Sequence, residues 1–172
     1  QSGSDKILKN MRRRYNIDDY KGRIMKIKSL IPDASIGIDV IVGFPGETEE
    51  KFQETYDFLK KTDFSYLHVF PYSKRENTDA FHKSDHLDKN TISSRVNKLN
   101  YLSQVKKKNF YRNNFGNVRE VLFEQFIDGC LVGYTDNYIP VKIAGSSNEI
   151  NNIIPIKLNS FCDDLVLGER QC

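Results

Sequence analysis

The chain has 172 residues, of which 38% are apolar and 28% charged, and its formal net charge is +3. This composition is typical of a globular protein, long enough for one domain or two small ones. No apolar stretch approaches the roughly 20 residues of a membrane span, and no signal peptide is recognisable, so no membrane association is expected. Three cysteines (Cys130, Cys162, Cys172) without C-x-x-C spacing indicate neither a disulfide framework nor a metal cluster, and a cytoplasmic location is expected.

Charge is unevenly distributed along the chain. Basic residues outnumber acidic ones up to Phe115, whereas acidic residues outnumber basic ones from Gly116 onward. Such a shift in composition favours a domain boundary. We therefore predict one domain over 1–115 and a second over 116–172.

The first part of the chain alternates helix and strand patterns. A helix capped by Ser4 or Asp5 comes first, and a second helix over Asp18–Ile31 ends at Pro32. Its apolar residues at helical spacing are Tyr20, Ile24, Ile27 and Ile31. The next predicted elements are strand Ile36–Val42, helix Glu49–Lys61, strand Tyr66–Phe70 and helix Thr91–Asn113. Strand–helix–strand spacing of this kind predicts a parallel sheet.

After Gly116 the pattern changes to short strands. The predicted strands are Glu120–Phe126, Leu131–Thr135, Tyr138–Ile143, Ile153–Leu158 and Leu165–Leu167. The dipeptides Asp128-Gly129 and Asp136-Asn137 separate the first three strands, as hairpins require. About five short strands in so few residues predict a small barrel of the OB type.

The turn after the first strand is the strongest local signal. The β-branched run stops at Gly43-Phe44-Pro45-Gly46, so a strand delivers its end into a tight loop, where α/β proteins place ligands. The run is apolar on both faces apart from Asp39, which predicts a strand covered on both sides. Acidic residues follow the loop (Glu47, Glu49, Glu50) and would repel a phosphate. The spacing also matches neither a P-loop nor a dinucleotide turn.

These residues also have structural explanations. Gly43 and Gly46 could serve the turn alone, and Asp39 could be satisfied by neighbouring backbone. His68 alternates with apolar neighbours, which favours a hydrogen-bonded core histidine. His82 and His86 have helical spacing near acidic residues, but a solvated loop is favoured over a metal site, and no metal ligand is predicted.

Basic residues recur among aromatic ones. The basic residues are Arg12, Arg13, Arg14, Lys98, Lys106, Lys107, Lys108 and Arg112, and the aromatic residues are Tyr101, Phe110 and Tyr111. Together they predict a phosphate-tracking RNA surface, although such runs are also typical of a solvated helix face. The second domain is acidic, so its contribution would depend on stacking and a few basic groups. Those candidates are Tyr134, Tyr138, Arg119, Lys142 and Lys157.

Several motifs occur together in one order. They are Gln1-Ser2-Gly3-Ser4, Met11 to Tyr15, Asp39 to Thr48, Phe70 to Ser73 with Arg75, and Gly133 to Tyr138. In this order they resemble the C-terminal part of the radical SAM methylthiotransferases. The resemblance implies half of a partial TIM-like barrel followed by a TRAM domain, an OB-like RNA-binding barrel. The chain is accordingly expected to be a fragment.

The resemblance also implies a cofactor site. Asp39, Gly43 and Gly46 would lie near the adenosyl and methionine parts of S-adenosylmethionine. Motif matches add the candidates Gln1, Ser2, Arg13, Phe70, Tyr72 and Ser73. For Phe70 and Tyr72, a place at the rim of the core is the alternative.

The same resemblance implies an activity. The segment from His68 to Ser73 with Arg75 resembles the branch that adds a methylthio group to C2 of N6-threonylcarbamoyladenosine at tRNA position 37. Such enzymes use S-adenosylmethionine and two [4Fe–4S] clusters, whose cysteines are absent from this sequence, so the chain alone is predicted to be inactive and without cofactor. A monomer that binds tRNA is expected. The alternatives are a ribosomal-protein aspartate methylthiotransferase and a non-catalytic RNA-binding module.

Overall fold

Two units make up the computed structural model, which describes residues 1–171. Unit 1 comprises Gln1–Pro32 and Ile36–Lys107, and unit 2 comprises Asp33–Ser35 and the chain from Lys108 onward. This division falls inside the last helix, whereas the composition changes at Gly116.

Unit 1 is an α/β structure built on two strands. Its elements are α1 (Asp5–Asn10), α2 (Ile17–Leu30), β1 (Gly37–Val42), α3 (Glu49–Lys61), β2 (Tyr66–Pro71) and α4 (Lys89–Asn113), whose C-terminal part belongs to unit 2. Strands β1 and β2 pair in parallel, with Gly37 opposite Tyr66 and Val42 opposite Pro71. The predicted parallel strand–helix–strand arrangement is therefore present.

Local signals explain where the helices begin. Asn16 accepts a hydrogen bond from the backbone N–H of Asp19, and the Asp19 carboxylate accepts one from the Asn16 N–H, which forms a capping box for α2. Thr48 caps α3 by accepting from the N–H of Lys51 at 3.3 Å. Ser4 precedes α1, but its side chain makes no capping bond.

Only one face of β1 is buried among the described residues. Ile38, Val40 and Val42 pack against α2, α3 and α4, while Gly37 and Asp39 on the opposite face are exposed. The expectation of a strand covered on both sides is therefore wrong for the described residues. The helices of unit 1 supply apolar side chains to one face of the sheet.

The apolar face of α2 is narrower than predicted. On α2, Ile24 is buried, but Ile27 is 42% exposed and Ile31 lies beyond the helix end. On α4, Leu99 and Leu102 are buried. None of the helices in the described part of the chain is long and apolar enough to cross a bilayer.

Unit 2 is a closed five-stranded barrel. Its strands are β3 (Val118–Ile127), β4 (Cys130–Thr135), β5 (Pro140–Ala144), β6 (Ile153–Cys162) and β7 (Leu165–Arg170), with a short 3₁₀ helix at Ser147–Glu149. They close in the order β3-β4-β5-β7-β6, with β5 and β7 parallel and the other pairs antiparallel. This five-stranded closed sheet confirms the prediction of an α/β unit followed by a small OB-like barrel.

The barrel core explains its closure. The fully buried side chains include Val121, Phe123, Leu131, Val141 and Leu158, which alternate with outward residues along their strands. Strands β3 and β6 each carry a register shift of the kind that bends a sheet into a barrel.

Two of the three cysteines can be described. Cys130 is half-buried and Cys162 is exposed, and both are free thiols. Cys172 lies outside the described residues.

Candidate ligand cleft and nucleic-acid surface

A cleft of about 690 Å³ opens where β1 and β2 end. We call it the strand-end cleft. It is lined by Gln1, Asn10, Met11, Arg12, Asp39, Ile41, Phe44, Phe70, Pro71, Tyr72, Ser73, Arg75, Asn77, Thr78, Asp79 and Ala80. The carboxyl end of a parallel sheet is where α/β folds bind ligands, as the sequence pattern predicted.

Five of the nine predicted cofactor residues line this cleft. They are Gln1, Asp39, Phe70, Tyr72 and Ser73. Sequence reasoning missed Ile41, which alternates with Asp39 on the open face of β1, and Phe44 in the turn. The two-residue period of a strand already contained the signal for Ile41.

Polar atoms without partners are present in this lining. The Gln1 Oε1 atom and the Tyr72 hydroxyl are both buried and have no hydrogen-bond partner among the described residues. Buried polar groups are usually satisfied, so such atoms favour a ligand that bonds to them. Asp39 is exposed, and its carboxylate makes no hydrogen bond or ion pair within the described part of the chain. The alternative that backbone groups satisfy it is therefore wrong.

Aromatic rings form one wall of the cleft. Phe44 and Tyr72 meet edge to face with their centroids 5.4 Å apart, and the Tyr72 ring stacks on His86 at 6.0 Å. Phe44 is 8% exposed and Phe70 is 49% exposed. Aromatic side chains at the wall of a cleft suit a planar heterocycle.

Gly43 and Gly46 do not line the cleft, and local structure accounts for both. Their φ angles are 84° and 86°, in the left-handed region that favours glycine. A Cβ atom at Gly43 would also lie 2.5 Å from Cγ1 of Ile92 on α4. The turn and its packing therefore require these glycines without any ligand, and their contact with a cofactor stays a prediction.

Ser2 and Arg13 are also outside the cleft lining. The Ser2 hydroxyl is 3.1 Å from the Thr55 hydroxyl and accepts from the N–H of Ser4 at 3.2 Å, so it joins the start of α1 to α3. Arg13 is exposed, and its backbone N–H donates to Leu8 at 2.9 Å. Contact of either residue with a cofactor stays a prediction.

A buried ion pair fixes the loop that borders the cleft. The Nη1 atom of Arg95 donates to the Glu47 carboxylate at 2.7 Å and to its backbone carbonyl at 2.9 Å, while Nη2 donates to Glu49 at 2.8 Å. The second Glu47 oxygen accepts from the N–H of Gly43 at 3.3 Å. Burial raises the pKa of Glu47, against the opposing effect of Arg95 and this N–H.

The Glu47–Arg95 pair changes the interpretation of the acidic loop. Glu47 precedes the capping residue Thr48, so its carboxylate serves the loop and not the first turn of α3. Arg95 was missed from the sequence, although it lies three residues after Ile92 and four before Leu99, on the buried face of α4. A charge at an apolar-face position requires a buried partner, and that is the signal that could have found it.

His68 and His82 are both exposed. His68 is exposed on the open face of β2, with its ring edge-on to Tyr66 at 5.1 Å, so the expectation of a core histidine is wrong. Its strand position faces away from the helices. His82 is exposed, and no group of three or more potential metal ligands is found among the described residues.

The predicted RNA-binding residues of unit 1 are only partly available. Arg12 lines the strand-end cleft and pairs with Asp79, and its side chain is 81% exposed. Arg14 is exposed and Lys107 is half-buried. Lys106 donates to the carbonyls of Lys60 at 3.0 Å and Thr62 at 2.6 Å, so its ammonium caps the end of α3. Burial lowers the pKa of Lys106.

In unit 2, the basic candidates differ in environment. Arg112 lies over the Phe161 ring at 5.1 Å and Lys108 at 5.9 Å, which forms an exposed cation–aromatic patch. Lys142 is half-buried on β5. Arg119 pairs with Asp136 at 3.2 Å and with Asp33, so its charge is already matched.

Tyr134 and Tyr138 are exposed on the barrel surface, but their neighbours are acidic. They share a groove with Glu120, Glu124 and Asp136. Carboxylates repel the phosphates of RNA, so the structure does not favour base stacking on these two tyrosines.

Comparison with known proteins agrees with the motifs. Residues 1–59 match the family model of the radical SAM superfamily. The chain is 42% identical over 163 residues to the threonylcarbamoyladenosine tRNA methylthiotransferase of Bacillus subtilis, which covers 92% of the chain and 36% of that protein. It is 43% identical over 146 residues to the protein of the same name from Aquifex aeolicus, covering 84% of the chain and 34% of that protein.

A second group of relatives has a different named substrate. The tRNA-2-methylthio-N(6)-dimethylallyladenosine synthase of Sulfurimonas denitrificans is 33% identical over 172 residues, covering 98% of the chain and 39% of that protein. The chain thus spans little more than a third of the length of the curated relatives it matches. The resemblance inferred from the sequence motifs is confirmed, and along nearly all of its own length the chain is a relative of the radical SAM methylthiotransferases.

Proposed function

We propose that this chain is part of a tRNA methylthiotransferase that modifies C2 of N6-threonylcarbamoyladenosine at position 37. The observation that carries the proposal is the 42% identity over 92% of the chain to a threonylcarbamoyladenosine tRNA methylthiotransferase. Relatives named for dimethylallyladenosine are 33 to 36% identical, and a threonylcarbamoyladenosine tRNA methylthiotransferase from Thermotoga maritima is 33% identical. The identities of 42% and 43% to two other threonylcarbamoyladenosine enzymes favour the threonylcarbamoyl substrate. A tRNA substrate implies a cytoplasmic location.

The strand-end cleft is the proposed site for S-adenosylmethionine. Its lining fits this cofactor, because the Phe44–Tyr72 wall suits the adenine ring and the unpartnered atoms of Gln1 and Tyr72 suit its polar groups. The Asp39 carboxylate suits its ammonium or a ribose hydroxyl. When bound together with an iron–sulfur cluster, the cofactor supplies a radical and a methyl group.

The residues of this chain would then bind and orient the cofactor. Phe44 and Tyr72 hold the ring, and Ile41 and Phe70 keep water from the apolar side of the cleft. The Glu47–Arg95 pair fixes the loop that carries Phe44. No cysteine pattern for a cluster occurs in the sequence, so the chain alone is proposed to be inactive and without cofactor.

Two exposed basic regions are proposed to contact tRNA. One contains Arg12 and Arg14, and the other contains Lys108 and Arg112 with the Phe161 ring. Arginine and lysine at such positions neutralise phosphates, so affinity should fall as salt rises. Lys106 and Arg119 are excluded from this proposal because their side chains are partly buried against protein partners, whereas the Arg12 side chain pairs with Asp79 but is 81% exposed.

A chimaera tests the proposed substrate. The matching 163-residue part of the Bacillus subtilis relative is replaced by this chain, and the gene is returned to a strain that lacks the enzyme. We expect nucleoside mass spectrometry of bulk tRNA to show 2-methylthio-N6-threonylcarbamoyladenosine again. A stable chimaera that leaves this nucleoside unmodified contradicts the proposal. An Asp39→Asn chimaera is the matched control, and it should be folded but impaired.

A further inference from the structure

A second cavity, of about 680 Å³, lies on the outer surface of the barrel. We call it the barrel groove. Its lining includes the side chains of Glu120, Leu122, Glu124, Tyr134, Tyr138 and Ile153. All of them belong to unit 2.

The floor of the barrel groove is an apolar row across three strands. Leu122 on β3 lies opposite Tyr134 on β4 and opposite Ile153 on β6. These side chains are 40%, 47% and 62% exposed. Adjacent exposed apolar side chains on neighbouring strands form a surface whose burial by a ligand is favourable.

Carboxylates border this row at both ends. Side chains two residues apart share one face of a regular strand, so Glu120 lies about 7 Å from Leu122. Glu124, at the bulge in β3, lines the same groove on the other side of Leu122 in sequence. A third carboxylate, that of Asp136, is matched by Arg119 at 3.2 Å. The part of the groove lining that the structure describes contains neither lysine nor arginine, so the groove is negatively charged.

The geometry restricts how a ligand can bind. At Val121 and Leu122, β3 pairs with β4 on one side and with β6 on the other, so no strand can be added beside it at the centre of the groove. A ligand must therefore contact side chains on the face of the sheet. A positively charged ligand is favoured, since an anionic ligand such as RNA would be repelled by Glu120 and Glu124.

We propose that the barrel groove binds an extended protein segment in which an apolar side chain is flanked, two residues before and after, by lysine or arginine. In an extended segment, alternate side chains are about 7 Å apart, which matches the spacing of Glu120 and Leu122 along β3, and Glu124 at the bulge borders the same groove. The apolar side chain covers the row formed with Tyr134 and Ile153. The cations meet the two carboxylates, and the exposed Tyr138 ring offers a further cation contact.

The test uses the whole 172-residue chain with isotopically labelled leucine and isoleucine methyl groups. The probe is a capped peptide, Lys-Thr-Phe-Thr-Lys, and its matched control is Glu-Thr-Phe-Thr-Glu. We expect the lysine peptide to shift the methyl signals of Leu122 and Ile153 but not that of Ile38 in unit 1. Equal shifts with the glutamate peptide, or none with the lysine peptide, overturn the proposal.

Variants separate the groove from general charge attraction. The double change Glu120→Gln and Glu124→Gln should weaken peptide binding about five- to tenfold, since each exposed charge pair contributes modestly. Glu169→Gln removes another exposed carboxylate of the barrel, on β7, and should leave binding unchanged. An equal loss with Glu169→Gln, or displacement of the peptide by a short single-stranded RNA, overturns the proposal. None of these outcomes depends on which nucleoside the enzyme modifies.

Discussion

Two arginines, one in each unit, make similar contacts in different surroundings. Arg95 in unit 1 pairs with Glu47 and Glu49, and Arg119 in unit 2 pairs with Asp33 and Asp136. Both arginine side chains are largely buried, with 7% and 13% exposed. Their partners differ, because the Glu47 side chain is 3% exposed whereas Asp33 and Asp136 are 56% and 61% exposed.

The difference shows that the burial of the carboxylate determines how much the protein is destabilised when its arginine partner is lost. Loss of Arg119 would leave Asp33 and Asp136 in water, where a lone charge is solvated. Loss of Arg95 would leave the Glu47 charge in the protein interior, where it is costly. The number of ion pairs alone would rank the two clusters as equal.

The largest effect is expected for Arg95→Met. Because this change strands a buried carboxylate, we expect the free energy of unfolding of unit 1 to fall by about 3–5 kcal/mol. Urea unfolding followed by far-ultraviolet circular dichroism measures it. Lys98→Met on the same helix is the control, since Lys98 is exposed and contacts Gln53 at 3.5 Å. A loss no greater for Arg95→Met than for Lys98→Met would show that the Glu47 charge is well solvated.

The pH dependence of Arg95→Met sharpens the same comparison. Burial already raises the pKa of Glu47 from its usual 4.5, and loss of Arg95 removes two influences that lower it. An acid whose folded-state pKa is raised contributes stability fully below its unfolded pKa and loses it as pH rises through the folded pKa. The stability deficit of Arg95→Met should therefore shrink as pH falls from about 7 towards 4.5. Adding Glu47→Gln should remove this dependence.

Lys106→Met is expected to have an intermediate effect. Its ammonium donates to two carbonyls at the end of α3, so its loss should cost about 1–2 kcal/mol of unfolding free energy. Lys61→Met is the control on an exposed neighbouring lysine. The affinity of the chain for tRNA, measured by filter binding at fixed salt, should be the same for both variants. A selective loss of affinity with Lys106→Met would restore Lys106 as an RNA contact.

The smallest effect is expected for Asp136→Asn. This substitution removes one exposed partner of Arg119 and keeps a residue that suits the turn. We therefore expect the free energy of unfolding to fall by less than about 1 kcal/mol. Thermal unfolding at low and high salt gives the measurement. The difference from the unsubstituted chain should vanish at high salt, because exposed pairs are screened. A difference that persists at high salt would show that the Asp136–Arg119 pair, like Glu47–Arg95, is shielded from solvent.

The sequence predicted element types better than their surroundings. Strand β1 and the turn at Gly43 follow from β-branched residues and from glycine at positive φ, which are local properties. The hairpin turn at Asp128-Gly129 follows from the same kind of signal. Strands and turns of this kind are determined by only a few neighbouring residues.

Long-range partners could not be predicted in this way. The sequence pattern treats Glu47 as a free charge that repels phosphate, because the arginine that neutralises it comes 48 residues later. His68 was placed in the core because its alternation with Leu67 and Val69 does not say which face of the sheet the helices cover. For the cleft, the motif match supplied Gln1 and Tyr72, but which of their atoms lack partners required coordinates.

The distance along the chain between Gly43 and Arg95 also bears on how this protein is made. Translation proceeds from the N-terminus, so the turn at Gly43 is synthesised before Arg95 exists. Until α4 has been added, the Glu47 carboxylate has no guanidinium to bind and stays in water. The loop beside the strand-end cleft can therefore reach its final form only late in synthesis. A nascent chain that stops before α4 should have no formed cleft with which to capture a nucleoside-containing ligand.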